Sequence, residues 1–336
     1  MARLSLKVVT RTLHLKVPFR ISGFVFDRSD VVVVTLSDGE AIGRGEGGGV
    51  YYLGDDVAHM LADIEAARGS IEAGLTREGL RAVMPPGGGR NAVDCALWEL
   101  EATRAGQPAW SLAGVDALKP LLTTFTVSAD SPAAMADRAR SYADARAIKV
   151  KLTGELELDV ERVAAVRAAR PDVWLGVDGN QGFARSQLEP LVEALLAERV
   201  ELLEQPLARG READLDGFKS AIPIAGDESL LSLAELPSAP GRFDVVNIKL
   251  DKCGGLTEGL LMAAEARRLG LTVMVGTMIG TSLSTAPALI LGQQCDIVDL
   301  DGPTFIVEDQ KHAVDYRDGF VSAGSDVWGS GKVLAE

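Results

Sequence analysis

The residues of this chain that could do chemistry stand at or near the ends of short apolar runs. Lys149 and Lys151 lie in Ile148-Lys149-Val150-Lys151, Asp178 in Val177-Asp178-Gly179-Asn180 and Glu204 in Glu204-Gln205-Pro206. Asp227 lies in Gly226-Asp227-Glu228-Ser229 and Lys249 in Asn247-Ile248-Lys249, with Asp299 and Asp301 following in Asp299-Leu300-Asp301-Gly302-Pro303. One such carboxylate alone reads as a solvated strand end or a helix cap. Three of them together offer hard oxygen ligands that suit Mg2+, an ion that keeps positions open for water or substrate oxygens. A lysine inside an apolar strand is costly unless an anion lies near, so Lys249 needs those carboxylates as counter-charge. Lys149 and Lys151 are two apart and share one strand face. Lys252 is the rival to Lys249, but as a loop position beyond the strand it would aim less well.

These positions need a scaffold that gathers strand ends. From about residue 120, short apolar strands alternate with helices: 123–127, 148–152, 173–178, 200–204, 222–227, 245–249, 272–276 and 297–299. Helices filling the gaps imply a parallel sheet. No G-x-G-x-x-G follows a strand and opens a helix, which leaves a doubly wound open sheet without support. The expected class is therefore α/β, a (β/α)7β TIM-type barrel over residues 116–318. In a closed barrel of eight, the second and sixth strands are opposite, so Lys151 and Lys249 face each other across the mouth. The third to fifth strands carry the carboxylates on the arc between them, and Asp299 and Asp301 sit across from that arc.

Residues 1–115 read as an α+β capping domain. Val31–Leu36 is a strand, Ser37-Asp38-Gly39 a turn and Ala41–Glu46 a returning strand. Val57, Met60, Leu61 and Ile64 fall at helical spacing, so Asp55–Arg68 is an amphipathic helix. Pro85–Gly89 is a breaker, behind which Ala92, Val93, Ala96, Leu97 and Leu100 mark another helix. Gly45–Gly49 reads as a loop. The tail, 319–336, rich in Gly and Ser, is expected to pack back and complete the cap.

The chain has 336 residues, 34 Lys and Arg against 48 Asp and Glu, and a formal charge of −14. Such an acid excess argues against nucleic-acid binding and against anionic membranes as partners. No apolar run approaches the roughly 20 residues of a spanning helix. Three widely spaced cysteines, Cys95, Cys253 and Cys295, fit apolar filler in a reduced cytoplasmic setting better than a disulfide framework. A homo-oligomer is left open.

The motifs quoted above, in that order, resemble the enolase superfamily, and its muconate lactonizing subgroup in particular. That subgroup holds muconate cycloisomerases, o-succinylbenzoate synthases, N-acylamino acid racemases and dipeptide epimerases. The branch with a His–Asp dyad, the mandelate racemases, is disfavoured, since none of His14, His59 and His312 falls at an expected barrel strand end. Asp299-Leu300-Asp301 resembles the Asp-x-Asp motif with which dipeptide epimerases bind the substrate α-ammonium. The resemblance implies an isomerase that inverts the α-carbon of the C-terminal residue of a dipeptide by two-base 1,1-proton transfer through a metal-stabilised enediolate. It assigns Lys151 and Lys249 as the bases, and Asp178, Glu204 and Asp227 as ligands of one Mg2+ per subunit. Lys149 is expected to lower the pKa of Lys151 by like charge. In this family a cap loop, here Phe19–Arg28, contacts the C-terminal side chain, and L-Ala-D/L-Glu epimerases carry an Arg in it. This chain offers Arg20 and Arg28, but Phe24 and Phe26 occupy the middle, with Met278 and Ile279 as further apolar lining, which favours an apolar or aromatic C-terminal residue. The other subgroup activities, and a non-catalytic cation-binding barrel, are the alternatives.

Overall fold

Three long antiparallel strands open the chain in the computed structural model, which describes residues 3–333. Residues 1–2 and 334–336, the outer ends of the two expected capping segments, lie outside the described residues. The strands β1 (Ser5–Ile21), β2 (Phe24–Ser37) and β3 (Ile42–Gly48) pair in that order. Against them pack α1 (Val57–Glu72), α2 (Arg77–Val83) and α3 (Gly88–Ala105). Val32, Val34 and Leu36 of β2 alternate toward a core shared with Met60 and Ile64 of α1 and Ala92, Ala96 and Leu100 of α3.

The glycine run corrects an expectation. Gly45–Gly48 is strand, and only Gly49 lies beyond it. Every second residue of β3 is glycine because α3 lies on its backbone. A Cβ at Gly43 would come 2.0 Å from the carbonyl of Ala96, at Gly45 2.1 Å from that of Ala92, and at Gly47 2.0 Å from that of Gly88. Strand steps of two thus match helix steps of four, and no side chain fits between. Helix α3 also begins inside the expected breaker, at Gly88.

The second layer is a parallel sheet of eight strands in strict sequence order. These are β5 (Thr124–Val127), β6 (Ala147–Lys151), β7 (Trp174–Asp178), β8 (Leu202–Glu204), β9 (Ile224–Gly226), β10 (Val245–Lys249), β11 (Thr272–Gly276) and β12 (Ile297–Asp299). Helices 132–141, 156–169, 188–197, 256–268 and 282–292 cover its outer face. After β8 and β9 the expected helices are replaced by short 3-10 turns, Glu212–Leu215 and Leu233–Ser238. The end strands β12 and β5 meet, which makes the sheet a barrel. No backbone ladder joins them among the described residues. The seam is held by side chains instead. Thr124 Oγ1 donates to Asp299, the Leu300 N–H donates to Thr123 Oγ1 at 2.9 Å, and the Thr126 N–H donates to Asp301 Oδ2 at 2.6 Å.

A small sheet of β13 (Asp315–Arg317), β14 (Phe320–Ser322) and β4 (Leu121–Leu122) closes the foot of the barrel. The chain then returns to the cap: Trp328 Nε1 donates to the Arg44 carbonyl at 2.8 Å and the Gly329 N–H to Glu99 Oε1 at 2.9 Å. Cap and barrel are further joined by three buried acids. Asp94 accepts from the Thr257 N–H and hydroxyl, Glu46 from the Thr281 N–H and hydroxyl, and Asp251 from the Gly48 N–H and Asn91 Nδ2. Thr257 and Thr281 stand at helix N-termini, where an anion answers otherwise unmet N–H groups. Among the described residues, no helix is long and apolar enough to cross a membrane.

Candidate active site

Period-two alternation sorts the barrel strands into an outer and an inner face. Ile148 and Val150 of β6, Leu175 and Val177 of β7, and Val246 and Ile248 of β10 join the core beneath the helices. Their neighbours Lys149, Lys151, Asp178, Asn247 and Lys249 therefore point inward. At the lower end the same face is apolar, with Leu202, Ala225, Val245 and Met274 packed together. Charge is confined to the carboxyl end of the strands, the end at which barrels of this kind build sites.

There, one oxygen each from Asp178, Glu204 and Asp227 lies within 4.8 Å of the others, and all three residues are buried. Lys151 Nζ donates to Asp178 Oδ2 at 2.6 Å, and Lys249 Nζ to Asp227 Oδ2 at 2.6 Å. Lys149 Nζ bonds Asp299 and reaches Glu204 Oε2 at 3.4 Å. Asn247, two residues before Lys249 on the same face, donates from Nδ2 to Glu204 Oε1 at 2.7 Å. The order of strands in the barrel sets Lys151 on β6 opposite Lys249 on β10, with the three carboxylates between.

Lys252 departs from its expected setting. It lies on a short helix, Leu250–Cys253, and is one of the largest fully buried side chains of the molecule. Its amine bonds Asp227 Oδ1 at 2.5 Å and the carbonyls of Asp227 at 2.6 Å and Asn247 at 2.9 Å. Every hydrogen is used, so Lys252 braces Asp227 from behind.

Burial and neighbouring charge move the protonation equilibria in opposite directions across the site. Burial, followed by the Asp178 carboxylate, pushes Glu204 up to about 7. Burial, with Asp227 beside it, pushes Glu228 up to about 8. Burial also works against the charge of Asp227, but the amines of Lys249 and Lys252 outweigh it and hold the carboxyl far below its ordinary range. Lys149 and Lys249 lose hydration by burial, and the carboxylates around them more than restore their charge, Asp299 acting most strongly on Lys149 and Asp227 on Lys249. Asp301, buried beside Asp299, is pushed up to about 7. The site thus holds a dense array of carboxylates in want of positive charge, the condition in which a divalent cation is stable.

A cavity of about 480 Å3 opens over these groups, between the barrel mouth and the cap. Lys149, Lys151, Lys249, Asp227, Asp299 and Asp301 line its barrel side. On the cap side are Phe26, Arg28, Tyr51 and Tyr52, with Met278 at the edge. The expected cap loop is instead a tight hairpin. β1 runs to Ile21, Ser22 and Gly23 make the turn, and Phe19, Arg20 and Ile21 pair with Phe26, Val25 and Phe24. Strand alternation sends its side chains to opposite faces. Phe26 faces the cavity together with Phe19 and Ile21, and Phe24, two residues away on the same face, stacks on Phe26 at the hairpin tip with ring centroids 6.0 Å apart, whereas Arg20 lines a separate groove behind the hairpin. Arg20 lies 3.3 Å from Asp130 there, and Phe24 packs on Tyr51 with ring centroids 4.7 Å apart. Of the two arginines offered by the sequence, Arg28 is the one at the cavity.

Tyr51, Tyr52, Asn180, Glu228 and Thr126 also line the cavity, with no role expected for any of them from sequence alone. Asn247 carried a readable signal, its two-residue spacing from Lys249. The tyrosines carried none, because their approach depends on how the cap sits on the barrel.

Comparison with known proteins covers both parts of the chain. Residues 3–114 match the mandelate racemase / muconate lactonizing enzyme N-terminal domain, and residues 134–331 the enolase C-terminal domain-like family. The chain is 38% identical to the L-Ala-D/L-Glu epimerase of Escherichia coli over 317 residues, 94% of this chain and 98% of that one. A solved Agrobacterium tumefaciens enolase family member with homology to dipeptide epimerases, bound to sodium and L-Ala-L-Glu, superposes with a TM-score of 0.93 at 38% identity, covering 97% and 100% of the two chains. The Enterococcus faecalis dipeptide epimerase complexed with Mg and L-Leu-L-Tyr gives a TM-score of 0.90 at 26% identity, covering 98% and 99%.

Proposed function

The chain belongs to the enolase superfamily, and from that premise we propose that it is a Mg2+-dependent dipeptide epimerase, an isomerase that inverts the α-carbon of the C-terminal residue. The observation that carries this reading is the pair Lys151 and Lys249 on opposite strands, flanking the carboxylate triad in one cavity. When held by Asp178, Glu204 and Asp227, Mg2+ would take the substrate carboxylate and offset the charge that develops on it as the α-proton leaves.

The chain's own groups supply the rest. Lys151 or Lys249 removes the α-proton from one face, and the other amine delivers a proton to the opposite face. Inversion follows because the two amines approach a planar centre from opposite sides. Lys149 shares a strand face with Lys151, and the Asp299 carboxylate holds it charged against its burial, so it keeps a fixed positive charge beside the reacting centre. Asp301 keeps one oxygen on the Thr126 N–H, and a substrate ammonium between Asp299 and Asp301 would answer the crowding of negative charge there. Asp227 is steadied by Lys252 and Glu204 by Asn247.

The C-terminal side chain meets the cap wall. Phe26, Ile21 and Met278 favour an apolar or aromatic residue in that position, as expected from the sequence. Arg28 at the same wall favours a Glu side chain, as in the E. coli relative's own substrate. A dipeptide library incubated in D2O with Mg2+ separates these. Incorporation of one deuterium at the α-carbon, read as a +1 mass shift, is the expected result, and no shift with any member would sink the proposal. Loss of exchange with L-Ala-L-Glu alone in Arg28→Ala marks the acidic preference; unchanged selectivity marks the apolar one. Cytoplasmic residence belongs to the same reading, with Cys95, Cys253 and Cys295 all free thiols.

A further inference from the structure

Among the described residues, four buried side-chain atoms find no hydrogen-bond partner: Tyr52 Oη, Asn180 Oδ1, Glu228 Oε2 and Asn247 Oδ1. All four belong to the barrel mouth. Tyr52, Asn180 and Glu228 line the cavity, and Asn247 already has its amide nitrogen on Glu204. Buried acceptors are ordinarily satisfied, and a cluster of unmet ones marks the place of a missing partner. The acids that join cap to barrel have no such deficit, since each accepts two hydrogen bonds from fixed donors.

Two of the four atoms are acceptors that flank the carboxylate triad along the chain. Glu228 follows Asp227, is 1% exposed, and feels the charges of Asp227, Asp178, Lys249 and Glu204. Asn180 lies two residues beyond Asp178, is 7% exposed, and donates its backbone N–H to Asp178 Oδ1 at 2.9 Å. Mg2+ takes six oxygen ligands and gives up water reluctantly. One oxygen from each of three carboxylates and two from a substrate carboxylate would leave one position. A water there carries two hydrogens, both polarised by the ion, and requires two acceptors.

We propose that Asn180 Oδ1 and Glu228 Oε2 receive the two hydrogens of one water that completes the cation's shell. Both are positioning residues. By fixing the water they fix which positions remain open to the substrate carboxylate, and so the plane in which the α-proton is presented to the two lysines. The inference rests on the triad being a Mg2+ site and does not require that the substrate be a dipeptide.

Mn2+ in place of Mg2+, without substrate, provides the test. Its affinity is read from the free-ion EPR signal, and the exchange rate of its slowest coordinated water from oxygen-17 relaxation. Removal of an outer-shell partner weakens metal binding by about 10- to 100-fold. Glu228→Leu is expected to fall in that range and to speed water exchange. Asn180→Ala is expected to speed exchange to a similar degree, and the double variant no further, since both lose the same water. Glu228→Gln keeps an acceptor oxygen and should keep the slow exchange. Wild-type exchange in Glu228→Leu and Asn180→Ala would overturn the inference, as would equal effects of Gln and Leu, which would mean charge alone. If Glu228→Leu does not fold, Asn180→Ala against Glu228→Gln decides it. An enzyme inert toward every dipeptide would still give these readings, so the functional proposal and this one fail separately.

Discussion

The molecule buries carboxylates in two places and answers them differently. Where cap meets barrel, Glu46, Asp94 and Asp251 each accept from backbone N–H groups or from hydroxyl or amide side chains whose positions the fold sets. At the barrel mouth, Asp178, Asp227 and Asp299 are answered by the amines of Lys151, Lys249, Lys252 and Lys149, while Glu204 has the Asn247 amide and a longer contact with Lys149, and among the described residues the buried side-chain atoms left without partners are all here. Backbone donors cannot leave and match one geometry, so they make a joint. Flexible ammonium groups can exchange their partner for a metal ion or a substrate, so they make a site. Burial of an acid, taken alone, does not tell the two apart; the kind of donor does.

The comparison breaks most visibly at the lysines. Lys151→Ala and Lys249→Ala are each expected to reduce α-deuterium exchange by roughly 10³-fold, with different epimers more affected in the two variants. Equal loss for both epimers in both variants would mean that they do not act on opposite faces. Asp301→Ala should lower kcat/KM for a dipeptide by about 10- to 100-fold, the worth of a hydrogen bond to a charged group. It should leave an N-acylated amino acid, which has no ammonium, untouched. Dipeptide turnover at the wild-type rate in this variant would favour an N-acylamino acid racemase.

The joint should respond to pH as well as the site. Burial pushes Glu46 up to about 7, and Asp94 and Asp251 up to about 6. These folded values stand above the ordinary values of about 4, so the folded protein retains protons that the unfolded chain has released. The stability this supplies is full below about pH 4 and is lost as pH rises through 6 to 7. In urea unfolding, the difference between wild type and Glu46→Gln should change by about 2 kcal/mol across that window, and a difference that is flat in pH would mean that Glu46 does not titrate in the fold. The smallest effect is expected at Arg20→Ala. An exposed pair with Asp130 is worth under about 1 kcal/mol, and because Arg20 faces away from the cavity, kcat/KM for L-Ala-L-Glu should not move.

Much of the site was legible because strand ends are. β10, β11 and β12 fall where apolar runs bounded by polar residues place them, and the register of a parallel barrel then decides which lysine faces which. What the sequence hid depends on contacts between distant segments. The alternate glycines of β3 read as a loop because nothing local reveals the helix lying on them. The cap hairpin read as a loop because the family resemblance implied one, although Phe19 and Ile21, then Phe24 and Phe26, alternate on either side of Ser22-Gly23. Its two-faced nature, with Phe26 inward and Arg20 outward, follows only once it pairs. Lys252 looked peripheral because its one-turn helix, which folds it back under Asp227, leaves no periodic signal.

The seam between the first and last barrel strands carries a consequence for how such a protein can change. Thr124 and Thr126 close the barrel by binding Asp299 and Asp301, the same two acids proposed above to meet the substrate ammonium. A single substitution there alters what is recognised and loosens the scaffold that recognises it. A lineage moving to substrates without an ammonium would keep only the Leu300–Thr123 bond of that latch, whereas the cap hairpin can be rewritten with no cost to closure. Variation should therefore accumulate in the preference for the residue being inverted, and change slowly in the demand for a free amine at the other end.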